Sequence, residues 1–419
     1  MIILKLALHS LWNRRGVAAL TVFAITISVT LFLSVDKIRS GARDGFANTI
    51  SGTDVIVGAR TGPIQLLLYS VFRIGNATNN ISWKSYQDII KRPETDWVVP
   101  LSLGDSHKGF RVLGTTRSYF EKYRYARKRS LTFVEGRAFE DVLDVVVGSE
   151  VARKLGYGLG DKIIISHGLG KAGFTKHDNL PFSIVGILSS TGTPVDQTVH
   201  VTLQGIEAIH IGWNGNNNSL RNKITPQDIQ NLQLQPKAIT AALVGLTSKI
   251  KVFRFQRAIN EYPAEPLMAI LPGVALQELW SLMGTAEKAL VVISLFVVVA
   301  GLLGMLTMIL SGLNERRREM AILRSVGAKP VHILGLFVTE ALLLSLAGAG
   351  LGVVLSFSGL ALAQPFIEAQ YGFYLTIASP GLREALIVVT VGGIGGLVGL
   401  WPAFRAYRLS VADGLIVRV

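Results

Sequence analysis

Apolar and polar positions alternate along this chain on two scales. On the long scale, four stretches are almost continuously apolar: residues 17–35, 286–313, 331–363 and 385–404. A bilayer core of ~30 Å needs about 20 apolar residues in helical form, so each stretch predicts a membrane span. Lys5, Arg14 and Arg15 precede the first stretch, and basic flanks of this kind stay in the cytoplasm. No small-x-small cleavage pattern follows it at Ser34-Val35-Asp36, so it reads as an uncleaved first span rather than a signal peptide. An even number of spans then returns the chain to the cytoplasm. Arg405 and Arg408 close the last one on that side. Residues 364–384 form a short outer loop in which Tyr371, Phe373 and Tyr374 suit an interfacial belt.

On the short scale, residues 36–285 show the periods of strands and short helices and no span, which places a large α+β domain outside the cytoplasm. Asp54 to Gly58 predicts a strand. Ser82 is placed to cap a helix running to Ile90, ahead of Pro93. The apolar run Val145-Val146-Val147 ends at Gly148, and Glu150 to Leu155 suits a helix. Further strands are predicted over 162–166 and 182–188. The apolar segment 62–75 is too short to span and reads as a buried helix, with a lipid- or cargo-touching loop as the alternative. Residues 213–236 are rich in Asn and Gln and predict a loop.

Between the second and third spans lies a charged segment, residues 314–330. Asn314 is placed to cap a helix there, with Glu315 in its first turn. Gly327 is placed to end it, and Pro330 follows. Ile322, Leu323 and Val326 fall on one apolar stripe with Met320 beside it, while Arg316, Arg317, Arg318 and Arg324 lie largely elsewhere. The wording of this segment, ERRREMAILRSVGA followed by an apolar span containing EALLLS, resembles the FtsX-like permease family, which includes the MacB and LolC/LolE membrane subunits of type VII ABC transporters. The outer segment agrees. LTFVEGRAF, VVVGSEVARKLGYGLGDKIII and FSIVGIL resemble the run of a MacB-type periplasmic domain. The terminal WPAFRAYRLSVADGL is similar to the family's usual ending, with Val411 where Pro is common and Gly414 where Ala is common.

The resemblance implies an α-helical membrane protein with four transmembrane helices plus a large extracytoplasmic α+β domain, the MacB-type periplasmic core of two lobes. The distal lobe would cover about 101–199, and the proximal lobe would be built from the flanking pieces, about 50–100 and 200–275. It implies that residues 314–330 touch an ATPase subunit through Glu315, Arg316, Glu319, Ile322, Leu323, Arg324, Val326 and Gly327. The partners implied are two copies of a separate ABC ATPase carrying ATP and Mg²⁺, a second permease copy, membrane lipid, and a periplasmic or outer-membrane protein. The location implied is the bacterial inner membrane, multi-pass. The function implied is mechanotransmission: ATP-driven motion passed to the outer domain to export, extract or handle cargo. The rival within the resemblance is a signalling subunit that activates an envelope hydrolase, but FtsX outer domains are usually much smaller than 36–285.

Composition fits a mixture of spans and soluble domain: the 419 residues are 49% hydrophobic and 17% charged. The net charge of +14 is explained by span flanks, so no nucleic-acid partner is inferred. There are no cysteines, which excludes disulfides and thiolate metal sites. His167, His177 and Asp178 match no standard ligand spacing, and the basic run Lys122, Arg124, Arg127, Lys128, Arg129 reads as a solvated face. The string Gly168-Leu169-Gly170-Lys171 lacks phosphate-loop spacing, and the sequence shows no other ATPase motif. No cofactor, catalytic residue or metal is therefore expected in this chain, and ATP hydrolysis is expected on the separate subunit. Glu340 lies inside the third span, where a carboxylate costs about 2.5–3.5 kcal/mol on insertion scales and should face other helices. Small residues mark helix-packing faces: Gly348 and Gly352 in the third span, Gly392, Gly395, Gly396 and Gly399 in the fourth.

This topology is testable in a chain without cysteine. A single cysteine near Asn217 should react with an impermeant thiol reagent applied from outside, once any outer membrane is permeabilised. The Ser325→Cys variant should not. Labelling at Ser325 would overturn the arrangement.

Overall fold

A computed structural model of the chain describes residues 2–126, 128–167, 180–210, 234–371 and 380–407. It divides into two compact units, residues 1–41, 284–366 and 375–419 in one, and 42–283 and 367–374 in the other. The first described elements are helices α1 (Ile2–Asn13) and α2 (Arg15–Thr49).

The outer unit follows. Its elements in order are β1 (Val55–Ala59), α3 (Pro63–Val71), β2 (Ile81–Ser82), α4 (Trp83–Ile90), β3 (Thr95–His107), β4 (Phe110–Thr115) and α5 (Ser118–Lys122). Then come β5 (Arg124–Tyr125), β6 (Arg129–Ser130), β7 (Phe133–Gly136), β8 (Asp144–Val147), α6 (Ser149–Leu155), β9 (Lys162–Ile163), β10 (Ser166–His167) and β11 (Phe182–Leu188). The last are β12 (Thr198–Thr202), α7 (Leu203–His210), β13 (Ala238–Ile239), β14 (Ala241–Leu246), α8 (Val252–Asn260) and β15 (Leu267–Ile270). Ser82 caps α4, accepting from the Ser85 amide at 3.3 Å. The segment around 62–75 contains α3, whose Leu66, Leu67 and Tyr69 are fully buried. The buried-helix reading of that segment therefore holds.

One strand organises this unit. β3 is 13 residues long, and its two halves serve different neighbours. Val98 to Leu101 pair with β14, which pairs in turn with β1 and then β15. Ser102 to His107 pair with β4, and the order continues β12, β8, β11, β7. The changeover comes at Leu101 and Ser102. Alternation along the strands divides the core. Val55 and Val57 face Tyr86, Ile89, Phe255 and Ile259 of α4 and α8, while Ile56 between them faces Leu66 and Leu67 of α3. Val146 shares that second cluster, whereas Val145 and Val147 belong to a third with Val112, Val199 and Phe182. Both faces of these strands are covered, which is why they are apolar at every position rather than at every second one.

The basic run forms the β5–β6 hairpin. Its Tyr125 is buried while Arg129 is exposed, and Arg127 lies outside the described residues. His167 pairs with Asp105 in the β10–β3 ladder. His177 and Asp178 lie outside the described residues, as do the Gly168–Lys171 string, most of 213–236, Phe373, Tyr374, Arg408, Val411 and Gly414. Among the described residues no cluster suits a metal ion.

The remaining helices are α9 (Pro272–Ser325), α10 (Pro330–Tyr371) and α11 (Leu382–Tyr407). With α2 they supply four segments long and apolar enough to cross a membrane, of 27, 40, 35 and 24 residues. One expectation is corrected here. α9 runs without a break through Asn314, so no helix starts there and neither Asn314 nor Glu315 lies at a helix N-terminus. Residues 314–325 are the last turns of a long helix. The backbone already has helical partners at that point, and the following Glu, Arg, Met and Ala residues are strong helix formers.

Within β12, His200 is fully buried, its ring 5.3 Å from that of Tyr119 and 5.8 Å from that of Phe120. Burial, reinforced by the positive charge of Arg73, pushes its pKa down from 6.5 to about 3. Between those values the unfolded chain binds a proton that the folded state refuses. The contribution to stability is therefore complete above pH 6.5 and lost as pH falls through the window. At about 1.4 kcal/mol per unit, lowering the pH from 7 to 4.5 should remove roughly 2–3 kcal/mol. Thermal unfolding at the two pH values should show the loss in the natural chain and a clearly smaller one in His200→Phe. Equal losses would mean that His200 does not titrate in this way.

Candidate functional site

The C-terminal end of α9 has a defined geometry. Gly327 has φ +100. Its amide donates to Arg324 O at 3.1 Å, and the Ala328 amide donates to Leu323 O at 2.9 Å. This pair of bonds is a Schellman closure, which requires a residue in the left-handed region and so favours glycine. Pro330 then starts α10 at its first position, where a missing amide proton costs nothing. The chain thus turns sharply between two long helices.

The expected apolar stripe divides in two at this turn. Met320 is buried in the helix cluster and Leu323 is half-buried. Ile322 and Val326, one helical turn apart, are 53% and 83% exposed. Leu323 lines a groove of about 620 Å³ together with Ile3 and Leu6 of α1 and Ile333 and Leu336 of α10. Arg324 is half-buried and Gly327 exposed. The backbone at Glu315, Arg316 and Glu319 is helical, but their side chains lie outside the described residues. The structure therefore brings Ile322 and Val326 together as a free apolar edge and places Leu323 on the wall of the adjoining groove.

The small residues of the third and fourth spans lie at helix crossings. A Cβ on Gly348 would come within 2.7 Å of Ile25, and one on Gly352 within 2.7 Å of Val29. α2 and α10 therefore run side by side in the same direction. Hydroxyl bonds follow the same register. Thr26 donates to Gly348 O at 3.2 Å, Thr30 donates to Gly352 O at 3.2 Å, and Ser34 meets Ser356 at 3.1 Å, always 322 residues apart. The hydroxyls were not among the residues singled out in the sequence, although Thr26, Thr30 and Ser34 recur every fourth position. α11 packs on α10 in the opposite sense. A Cβ on Gly395 would run into Ser345, one on Gly399 would lie 2.5 Å from Ala341, and one on Gly392 would meet Leu346. Gly396 is looser: its Cβ would lie 3.3 Å from Leu342 Cδ1, the free end of a flexible side chain. Glu340 is 3% exposed and faces the other helices rather than lipid. At the opposite end of the bundle, Lys37 pairs with Glu384 at 2.5 Å and Arg383 with Asp36 at 3.0 Å, joining α2 to α11.

Two family models match this chain. A MacB-like periplasmic core domain covers residues 18–258, and an FtsX-like permease C-terminal region covers 291–411. The chain belongs to the MacB-like permease family. Its relatives include macrolide export ATP-binding/permease proteins MacB. That of Bordetella avium is 22% identical over 98% of this chain and 59% of its own length. That of Chromobacterium violaceum is 23% identical over 98% and 60%. That of Salmonella paratyphi A is 35% identical over 32% of this chain and 21% of its own. The chain thus spans about 59% of the first of these relatives. The periplasmic region of MacB from Actinobacillus actinomycetemcomitans superposes with a TM-score of 0.33 at 11% identity, over 55% of this chain and 94% of that one. A family permease of this kind is the membrane component of an ABC transporter, built from membrane-spanning helices and a large periplasmic-type domain.

The helix crossings can be ranked. Gly352→Leu and Gly395→Leu should each overpack a contact at a cost of about 1–3 kcal/mol, seen as a lower yield of monodisperse protein in detergent. Gly396→Leu should lose less yield than either, because only the flexible end of Leu342 stands in its way. Equal behaviour of the three variants would mean that these crossings do not set bundle stability.

Proposed function

We propose that this chain is the mechanical subunit of an ABC transporter, driven by ATPase subunits that dock on the α9–α10 turn. The observation carrying this reading is the exposed pair Ile322 and Val326 on a helix end held by the Gly327 closure. An apolar edge beside Arg324 and Lys329 lies past the end of the spans, where acyl chains no longer reach it. A protein groove would cover it and receive a rigid helix end rather than a loop. Two ATPases, holding ATP and Mg²⁺, would act on two permease copies. Closing and opening of the ATPases would tilt α9 and α10, and the packed glycine and hydroxyl contacts would carry that motion through the bundle to the outer unit. Cargo would then be handled at or beyond the membrane surface, at the bacterial inner membrane. A periplasmic or outer-membrane partner would receive it.

Leu323 lines the groove with α1 and α10, so a charge there would also disturb that groove, whereas Ile322 and Val326 are exposed. Burying one such side chain contributes about 1.5–3 kcal/mol. The double variant Ile322→Asp/Val326→Asp should therefore weaken ATPase binding by at least ~10-fold while the permease still inserts. Co-purification of the ATPase and permease-stimulated ATP hydrolysis should both fall. Natural stoichiometry and stimulated activity in the double variant would sink the proposal.

A further inference from the structure

The outer unit contains a cavity of about 280 Å³ between the α3–β2 connection and the β3–β4 part of its large sheet. One wall is the α3–β2 connection, with Arg73, Asn76 and Asn80. The other is the β3–β4 region, with Gly104 and Arg111. Two guanidinium groups thus share one small cavity. Every acceptor that they reach is neutral. Arg73 donates to Ser70 O, and Arg111 donates to Asn76 Oδ1 and Gly75 O at 2.9 Å each. Among the described residues neither forms an ion pair. Burial lowers the pKa of Arg111, and the nearby charge of Arg73 lowers it further. The two cations therefore repel one another, with no ion-pair partner for either among the described residues.

Two further features of Arg73 point the same way. Its φ is +60, in the left-handed region that arginine rarely adopts and that glycine or asparagine would occupy without strain. Its Nε is buried without a well-formed hydrogen bond, and its guanidinium lies against the neutral, buried hydroxyl of Tyr119. A cation at the C-terminal end of α3 would be reason enough for the bond to Ser70 O. It does not account for the buried Nε, for the strained backbone, or for a second arginine brought to the same space by a different strand. Strain and unpaired buried donors of this kind collect at ligand sites.

We propose that this cavity binds a phosphate group, either the free ion or the headgroup of a phosphomonoester lipid. Two facing guanidinium groups supply planar pairs of N–H donors that match the oxygens of a tetrahedral anion. Together they balance a charge near −2 better than the single charge of a carboxylate. Asn80 adds an amide at the rim. The volume lies just below the range of drug-sized pockets, about 300–1,000 Å³, so the site takes a headgroup and not a bulky hydrophobic cargo. An occupant would touch the α3–β2 connection and the β3–β4 region and hold the one against the other.

The test uses the full chain in detergent. Sodium phosphate is compared with sodium chloride at matched ionic strength, by thermal unfolding and by calorimetric titration. A saturable rise in Tm is expected only with phosphate, roughly 3 °C at tenfold excess over Kd. Arg73→Gln and Arg111→Gln should each weaken phosphate binding by at least ~10-fold, the loss expected when one charge-assisted pair is removed. Arg111→Lys keeps the charge without the paired donors, so it should bind with intermediate affinity and shows that the fold is intact. Competition with dihexanoyl phosphatidic acid separates the sources. Displacement of phosphate at a tenth of its concentration or less identifies a lipid headgroup, and parity identifies the free ion; either supports a phosphate site. The proposal fails if the natural chain shows no saturable shift beyond chloride, or if the glutamine variants respond as the natural chain does.

Discussion

Close approach of α2 and α10 is the contact on which the membrane unit depends. In lipid, apolar side chains gain little by leaving one hydrocarbon surface for another, so helices associate through fine packing and shared hydrogen bonds. Gly348 and Gly352 remove the side chains that would hold the helices apart. Thr26, Thr30 and Ser34 then reach across to the exposed carbonyls and to Ser356. Each interhelical bond of this type contributes only about 0.6–1.7 kcal/mol, but their common register admits one alignment. A slip by one residue would turn the hydroxyls away and drive Ile25 and Val29 into side chains instead of glycines. Ser28 ties the same helix to α9 through Val297 O at 3.1 Å. α11 closes on the other side of α10 through Gly395 and Gly399.

The outer unit solves a different problem with a comparable device. The two halves of one large sheet must be held in a fixed relation, and β3 does it by belonging to both. No linker exists at Leu101 and Ser102 that could bend freely, because each half of the strand is bonded along its length. The register shift between Leu103 and Ser106 lets the strand turn while most of its bonds are kept. The phosphate site proposed above lies at this same junction, where two sequence-distant arginines meet.

What the sequence disclosed and what it hid follow from how far each feature reaches along the chain. Ser82 and its helix, the strand 182–188 and the closure at Gly327 are local, and all were legible. The four spans were legible because length and apolarity alone set them. Asn314 misled, because a cap residue and a mid-helix asparagine look alike until the upstream backbone is known. The double role of β3 was hidden, since one of its partners, β14, lies far along the chain and leaves no mark on its period. The glycines of the fourth span were visible as a group, yet their ranking needed the neighbours: Gly395 faces Ser345 and Gly396 only the tip of Leu342. Arg73 and Arg111 were invisible as a pair because they meet only through folding.

Exposed apolar surface has two meanings in this protein. Along the spans, Leu290, Val292, Phe296 and Leu397 are all exposed, and in a bilayer acyl chains would cover such side chains. Ile322 and Val326 are of the same residue types, but they follow Arg316, Arg317 and Arg318 in a segment dense with charge. Hydrocarbon does not reach there, and water gives such side chains no compensation. A headgroup layer would suit the arginines, yet it would not need the helix end to be held at a fixed angle. The Gly327 closure and the immediate start of α10 at Pro330 fix that angle. A fixed angle is useful where a second rigid body must push on the helix. The conjunction of an uncovered apolar edge with a rigid turn, rather than hydrophobicity alone, is what the proposed docking at this corner rests on.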